Sequence, residues 1–175
     1  MATAGASFVN RMLRAAQLDD AVYEEIEADK TATMQAAAVV VLGSVAAALG
    51  ATGRFGIVGL VLVTLVGLGA WSVYAWITYW LGTGPLKGPA TEADWGQVAR
   101  TLGFANSPRL LLVFTVLGLG FFLRPVVAIW ILVTTVVALR AALDVTTGRA
   151  AAVAVVGWIV QAALTALLLF LESAA

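Results

Sequence analysis

Long apolar runs with almost no charge are the feature of this chain that most restricts its fold. Residues 33–51, 56–81, 109–143 and 150–171 are built chiefly from Ala, Val, Leu, Ile, Gly and aromatics. Apolar residues make up 62% of the 175, against roughly half in a typical globular chain. A soluble domain of this size has no interior large enough for so much apolar surface. The chain is therefore expected to be an all-α polytopic membrane protein, since a helix satisfies its own backbone in lipid.

A spanning helix needs about 20 apolar residues. Residues 33–51, 56–81 and 150–171 each meet that length. As one helix, residues 109–143 would be roughly 50 Å long, too long for a bilayer of about 30 Å. The stretch carries its own break at Gly118, Gly120, Arg124 and Pro125. Proline suits the first turn of a helix, and arginine is costly at mid-bilayer. The pattern thus predicts helices at about 102–122 and 125–143, five spans in all.

Charge bias agrees with five. With the N-terminus inside, Arg11, Arg14, Lys30, Lys87, Arg100, Arg109, Arg140 and Arg149 fall on the cytoplasmic side, and only Arg54 and Arg124 fall outside. The expected layout is a multi-pass protein of the cell (inner) membrane, N-terminus cytoplasmic and C-terminus external or periplasmic. Trp71, Tyr74, Trp76, Tyr79 and Trp80 crowd the cytoplasmic half of the second span, where an interfacial belt belongs. No cleavable signal peptide is expected, because about thirty mostly polar residues precede the first apolar run.

Residues 1–30 read as a cytoplasmic amphipathic and acidic segment, and 31–175 as the five-span domain. Phe8, Met12 and Ala15 recur at helical spacing, with Val9 and Ala16 alongside and Arg11 and Arg14 beside them. This suits a short helix on the leaflet, its cations near headgroups. A second helix is expected from Asp19 or Asp20, either a good N-cap, with Val22, Tyr23 and Ile26 on one side and Glu24, Glu25 and Glu27 facing water. After span two, Gly82, Gly84, Pro85, Gly88 and Pro89 predict a turn-rich loop. Thr91 and Asp94 form a T-x-x-D capping signal for an interfacial helix through Trp95, Val98, Ala99 and Leu102. Asn106-Ser107-Pro108 then predicts a break.

Net charge is zero and there is no His and no Cys. Bulk basicity for nucleic acid is lacking, as are the usual Zn, haem and iron–sulfur ligands and the His or Cys dyads of nucleophilic enzymes. No catalytic residue, cofactor or metal is expected. The spans offer few polar groups, among them Gln161, Thr134, Thr135 and Thr165, as helix-contact glue or as the lining of a neutral pore. Gly43, Ala47 and Ala51, then Gly53, Gly56 and Gly59, then Gly67 and Gly69, allow close helix approach within a chain or between subunits.

Phe8 with Arg11, the run from Val22 to Asp29 leading into Met34-Gln35-Ala36, and Gly103-Phe104-Ala105-Asn106-Ser107-Pro108-Arg109 followed by Trp130 together resemble the Yip family. That family is the five-span membrane domain named for interaction with Ypt/Rab GTPases. The short, Ala-rich form looks like a bacterial member. The resemblance implies a non-enzymatic protein of membrane organisation or scaffolding, without carrying over Rab binding. Its expected partners are the bilayer and either further copies of itself or another membrane protein. Tyr23, Glu24, Glu25 and Asp29 are the candidate partner-binding residues, and Gly103, Phe104, Ala105, Pro108 and Arg109 the motif at the helix break. The alternative is an oligomeric channel or carrier for small solutes or lipids.

Overall fold

A computed structural model describes residues 7–51 and 56–174. Among these the chain is all-helical: α1 (Phe8–Ala16), α2 (Asp20–Ala28), α3 (Ala32–Gly50), α4 (Ile57–Thr83), α5 (Trp95–Ala105), a 3-10 segment (Ser107–Leu117), α6 (Gly120–Leu143) and α7 (Thr147–Ala174). Four helices, α3, α4, α6 and α7, are long and apolar enough to cross a membrane. Gly53 and Arg54 lie outside the described residues.

Helix starts follow side-chain chemistry. Ser7 Oγ accepts the Asn10 amide, and Asp19 accepts the Ala21 amide. The capping box at α5 differs from the T-x-x-D expectation. Asp94 is itself the N-cap, bonded reciprocally with Gln97 at the third helical position. Thr91 instead accepts the Gly88 amide at 3.0 Å and donates to the Leu143 carbonyl at 2.6 Å, tying the loop to the end of α6.

The largest departure concerns the helix expected at 102–122. Residues 102–105 finish α5, and Ser107–Leu117 winds as a 3-10 segment. Pro108 has no amide to continue the α ladder. Asn106 Nδ2 and Ser107 Oγ donate back to the Leu102 and Phe104 carbonyls, which closes α5. The segment ends at Gly118, whose φ of 80° favours glycine. α6 then begins at Gly120 rather than at 125, so Pro125 sits inside it.

Close approaches fix the order of the bundle. Gly103 abuts Ala36, Gly43 abuts Arg109, and Gly50 abuts Leu112 and Thr115. The stretch from 103 to 115 therefore runs beside α3 in the same direction. α6 returns, with Thr134 Oγ1 on the Ala105 carbonyl at 2.7 Å. α4 runs against α3 through Gly67 and Ser44, and α7 against α4 through Gly157 and Thr78. The glycine seams thus serve contacts inside one chain, while a Cβ at Gly56 or Gly69 would meet nothing.

Burial is uneven along the bundle. Tyr23, Ile26, Leu102, Phe104, Leu139 and Leu143 are fully buried at the end that carries α1 and α2. Towards the other end large apolar side chains point outward, among them Ile57, Phe121 and Phe122. No residue in the most apolar stretch of α4 is buried. Such an apolar exterior is the surface lipid covers.

Candidate functional site

Two places gather polar chemistry. The first is the end of the bundle capped by α1 and α2. Arg11 was expected beside lipid headgroups, but it is buried. Its guanidinium donates to Glu25 at 2.8 Å, to Asp29 at 2.8 Å and to Gln35 at 3.1 Å. Arg14 pairs with Asp19 at 2.7 Å and with Glu25 at 3.4 Å. The Phe8, Met12 and Ala15 stripe also turns inward, Phe8 meeting Phe104 edge-on at 6.2 Å, while Val9 and Leu13 stay exposed. Side chains from other helices close the orphan carbonyls at helix C-termini. Trp130 donates to Ala16 at 2.8 Å, and Arg100 donates to Ile26 and Glu27.

Tyr23 is wholly buried and donates to the Ala15 carbonyl at 3.0 Å, so it is a core residue with no surface for a partner. Glu25 and Asp29 serve the Arg11 cluster. Glu24 alone of the four candidate partner residues is exposed. It has company that the linear sequence hides. Asp144 at the C-cap of α6 and Asp20 act on Glu24, and Glu24, Asp144 and Asp94 act on Glu27, with Arg140 and Arg100 opposing them. Burial, then the Glu24 and Asp144 carboxylates, push the Glu27 carboxyl up to about 7. Glu24 is shifted upward by burial and then by Asp144 and Asp20. Asp29 moves the other way, held down by the Thr31 hydroxyl and by Arg11. Arg140 bridges to Asp20 at the edge of this face.

The second place is a cavity of about 500 Å³ at the middle of the bundle. Gly67, Trp71 and Tyr74 of α4 form one wall, Ile129, Leu132 and Thr135 of α6 another, and Trp158 and Gln161 of α7 a third. Asn106 and Arg109 reach in from the helix break. Of the polar residues expected inside the spans, Thr135 and Gln161 join this cavity. Gln161 Nε2 also donates to the Ala70 carbonyl at 3.0 Å, joining α7 to α4. Thr134, on α6, is buried against the end of α5, and Thr165 is exposed with its hydroxyl on the Gln161 carbonyl.

No family model, curated protein or solved structure matches this chain.

The motif residues all lie at the break, each with a packing task. Gly103 allows α5 onto Ala36, Phe104 fills the core, the Ala105 carbonyl receives Thr134, and Pro108 is buried at the start of the 3-10 segment. The charge pattern places Arg109 with the cytoplasmic charges. It instead lies beside Gly43, well along α3, facing the cavity. The signal for this was present, because Arg109 falls inside the apolar stretch 102–122. Asp94 and Asp144 were missed as members of the acidic face, because only the fold brings three separate elements together. Among the described residues no cluster of His, Cys, Asp or Glu is arranged to hold a metal ion.

Proposed function

We propose that this protein is a non-enzymatic, Yip-like integral membrane protein that crosses the bilayer five times and serves as a membrane scaffold. The fifth crossing would be the tail of α5 with the 3-10 segment. Its eleven residues cover about 22 Å at 2.0 Å per residue, and they run beside α3. Arg11, Arg14, Lys30, Lys87, Arg100, Arg140 and Arg149 gather at the α1–α2 end, whereas Arg124 stands near the other. That bias supports a cytoplasmic N-terminus and an external C-terminus.

The observation that carries the scaffold reading is the acidic face. Asp20, Glu24, Asp94 and Asp144 come from three elements: Arg100 ties α5 to α2, and Arg140 ties α6 to α2. A preformed, net-acidic face, in which Arg140 offsets only Asp20, suits a basic segment of a partner protein. Charge reversal at two of these exposed carboxylates, Glu24→Lys with Asp144→Lys, tests it. The doubly reversed chain is expected to insert normally and to lose partners that co-purify with the wild type. An unchanged set of partners rejects the scaffold reading. A tag after Ala175 found in the same compartment as Met1 rejects five crossings.

The central cavity favours a second reading, a carrier or channel for small solutes or lipids. Solute flux or lipid scrambling in proteoliposomes supports it, and silence across pH and voltage rejects it.

A further inference from the structure

Two buried side-chain polar atoms lack a hydrogen-bond partner among the described residues, Arg109 Nε and Ser44 Oγ. They belong to one place. Gly43, next to Ser44, packs on the Arg109 stem, and Gly67, which touches Ser44, lines the cavity that Arg109 enters. None of the ion pairs of the described chain includes Arg109. A guanidinium does not shed its proton in a protein, so a full positive charge stands there without a counter-charge. Isolated charges at such depth are costly. Every other group on the cavity wall is neutral, namely Asn106, Thr135, Gln161 and aromatic or aliphatic side chains.

We propose that this cavity binds one anionic phospholipid, its phosphate paired with Arg109 and an acyl chain leaving between α6 and α7. The planar guanidinium fork matches a phosphate through two parallel hydrogen bonds. Asn106 at the break and Gln161 on α7 each give one N–H to a backbone carbonyl and keep a second neutral N–H at the cavity. Ile129 and Leu132 of α6 and Trp158 of α7 line the cavity and are exposed on the flank of the bundle, so the cavity opens sideways to lipid rather than along the bundle axis. Its α4 wall, Gly67 to Tyr74, begins roughly 3 Å and ends roughly 14 Å inward of Trp76. A headgroup therefore enters from the aromatic belt without crossing the bilayer. A volume of about 500 Å³ accommodates the headgroup and the start of a chain, the remainder lying in the bilayer.

The inference rests on the reading of the bundle as membrane-spanning, and the experiment separates the two. Full-length protein in neutral detergent is equilibrated with equal amounts of phosphatidylglycerol and phosphatidylcholine, and bound lipid is counted by native mass spectrometry. The wild type is expected to retain a single phosphatidylglycerol. Arg109→Gln is expected to bind it about tenfold more weakly and to lose the preference, as one charge-assisted pair implies. Arg109→Lys is expected to keep part of both. Ala128→Trp, which fills the cavity from α6 and leaves Arg109 in place, is expected to lower occupancy and decides the matter if Arg109→Gln does not insert. Equal retention of both lipids by the wild type, or an unaltered preference in Arg109→Gln and Ala128→Trp, overturns the inference. Displacement of the lipid by millimolar inorganic phosphate also overturns it, since the site would then take a free oxyanion. Alkaline extraction of membranes reports separately on insertion. A wild type that is extracted overturns the membrane reading, whereas an inserted wild type without lipid preference overturns only the inference.

Discussion

Arg11 retains 6% of its side-chain surface, while its partners Glu25 and Asp29 retain 33% and 27%. Removing the cation leaves two carboxylates facing each other with partial access to water. Arg11→Ala is therefore expected to cost about 2 kcal/mol, below the 3–5 of a fully buried pair because solvent screens the carboxylates. Hydrogen exchange at the α1 and α2 amides measures it. Glu27 gives the same cap a pH dependence. Its carboxyl, raised to about 7, holds its proton more tightly in the folded state than in the unfolded chain. Stability from this group is present below the ordinary carboxylate range and is lost as pH rises towards 7. Asp29 and Asp19 are depressed, so their contribution is present above the ordinary range and is lost as pH falls through their lowered values. Protection of α2 is expected to peak at about pH 5 and to fall on both sides. Glu27→Gln, which keeps an acceptor for Gln97, should reduce the alkaline loss, to which Glu24 also contributes, and leave the acid side unchanged. Protection of α2 in the wild type that rises between pH 5 and 8 would contradict the assignment. The positions of Arg11 and Glu27 on helices were legible in the sequence. Their burial was not, because a stripe of Phe8, Met12 and Ala15 fits lipid and protein equally well.

At the scale of elements, the seams between helices make opposite demands on glycines that look alike in sequence. A Cβ at Gly103 would stand 2.5 Å from that of Ala36 and 2.9 Å from its Cα, with no flexible atom to yield. Gly103→Ala is expected to destabilise by about 1–3 kcal/mol through overpacking. Gly69→Ala meets open space and should be neutral or stabilising by up to about 1 kcal/mol. Midpoints of thermal unfolding in detergent compare the two. Thr115 ties the 3-10 segment to α3, its hydroxyl lying 2.8 Å from the Gly50 carbonyl and 2.7 Å from that of Leu112. Thr115→Val keeps the shape and loses this link, at an expected cost of about 1 kcal/mol, whereas Thr115→Ser should retain it. These elements also mark where hydrophobic pattern stops being informative. Residues 33–51, 56–81 and 150–171 fall on α3, α4 and α7 within a few residues, because their length and composition admit little else. The region 102–122 is equally apolar, and its periodicity does not distinguish an α-helix from a 3-10 turn. Pro108 marked the break, but the long 3-10 continuation depends on the surface of α3 that the segment follows.

Across the whole molecule, the buried core and the lipid-facing surface occupy different ends, and that division sets where the bilayer lies. The described chain packs tightly where α1, α2 and α5 enclose the ends of α3, α4, α6 and α7. Beyond that cap the helices expose their apolar residues. Trp76 and Trp80 are 60% and 58% exposed, and they sit on α4 where its buried residues, Ala75 to Gly82, begin. Amphipathic rings favour the headgroup level, so the hydrocarbon edge is expected to pass beside these two residues, with Val9 and Leu13 of α1 touching the leaflet and Glu24 and Asp144 in water. Single-tryptophan chains in bilayers containing spin-labelled lipid test this placement. Trp76 and Trp80 are expected to be quenched more strongly by a label near the headgroup end of the acyl chain than by one near its terminus. Trp130, whose indole is covered by the end of α1 and bonded to Ala16, should be quenched weakly by both. Stronger quenching of Trp76 and Trp80 by the deep label would move the hydrocarbon down over the cap. The acidic face, offset only in part by Arg140, would then lie in lipid, and it could not serve as a docking surface for a soluble partner.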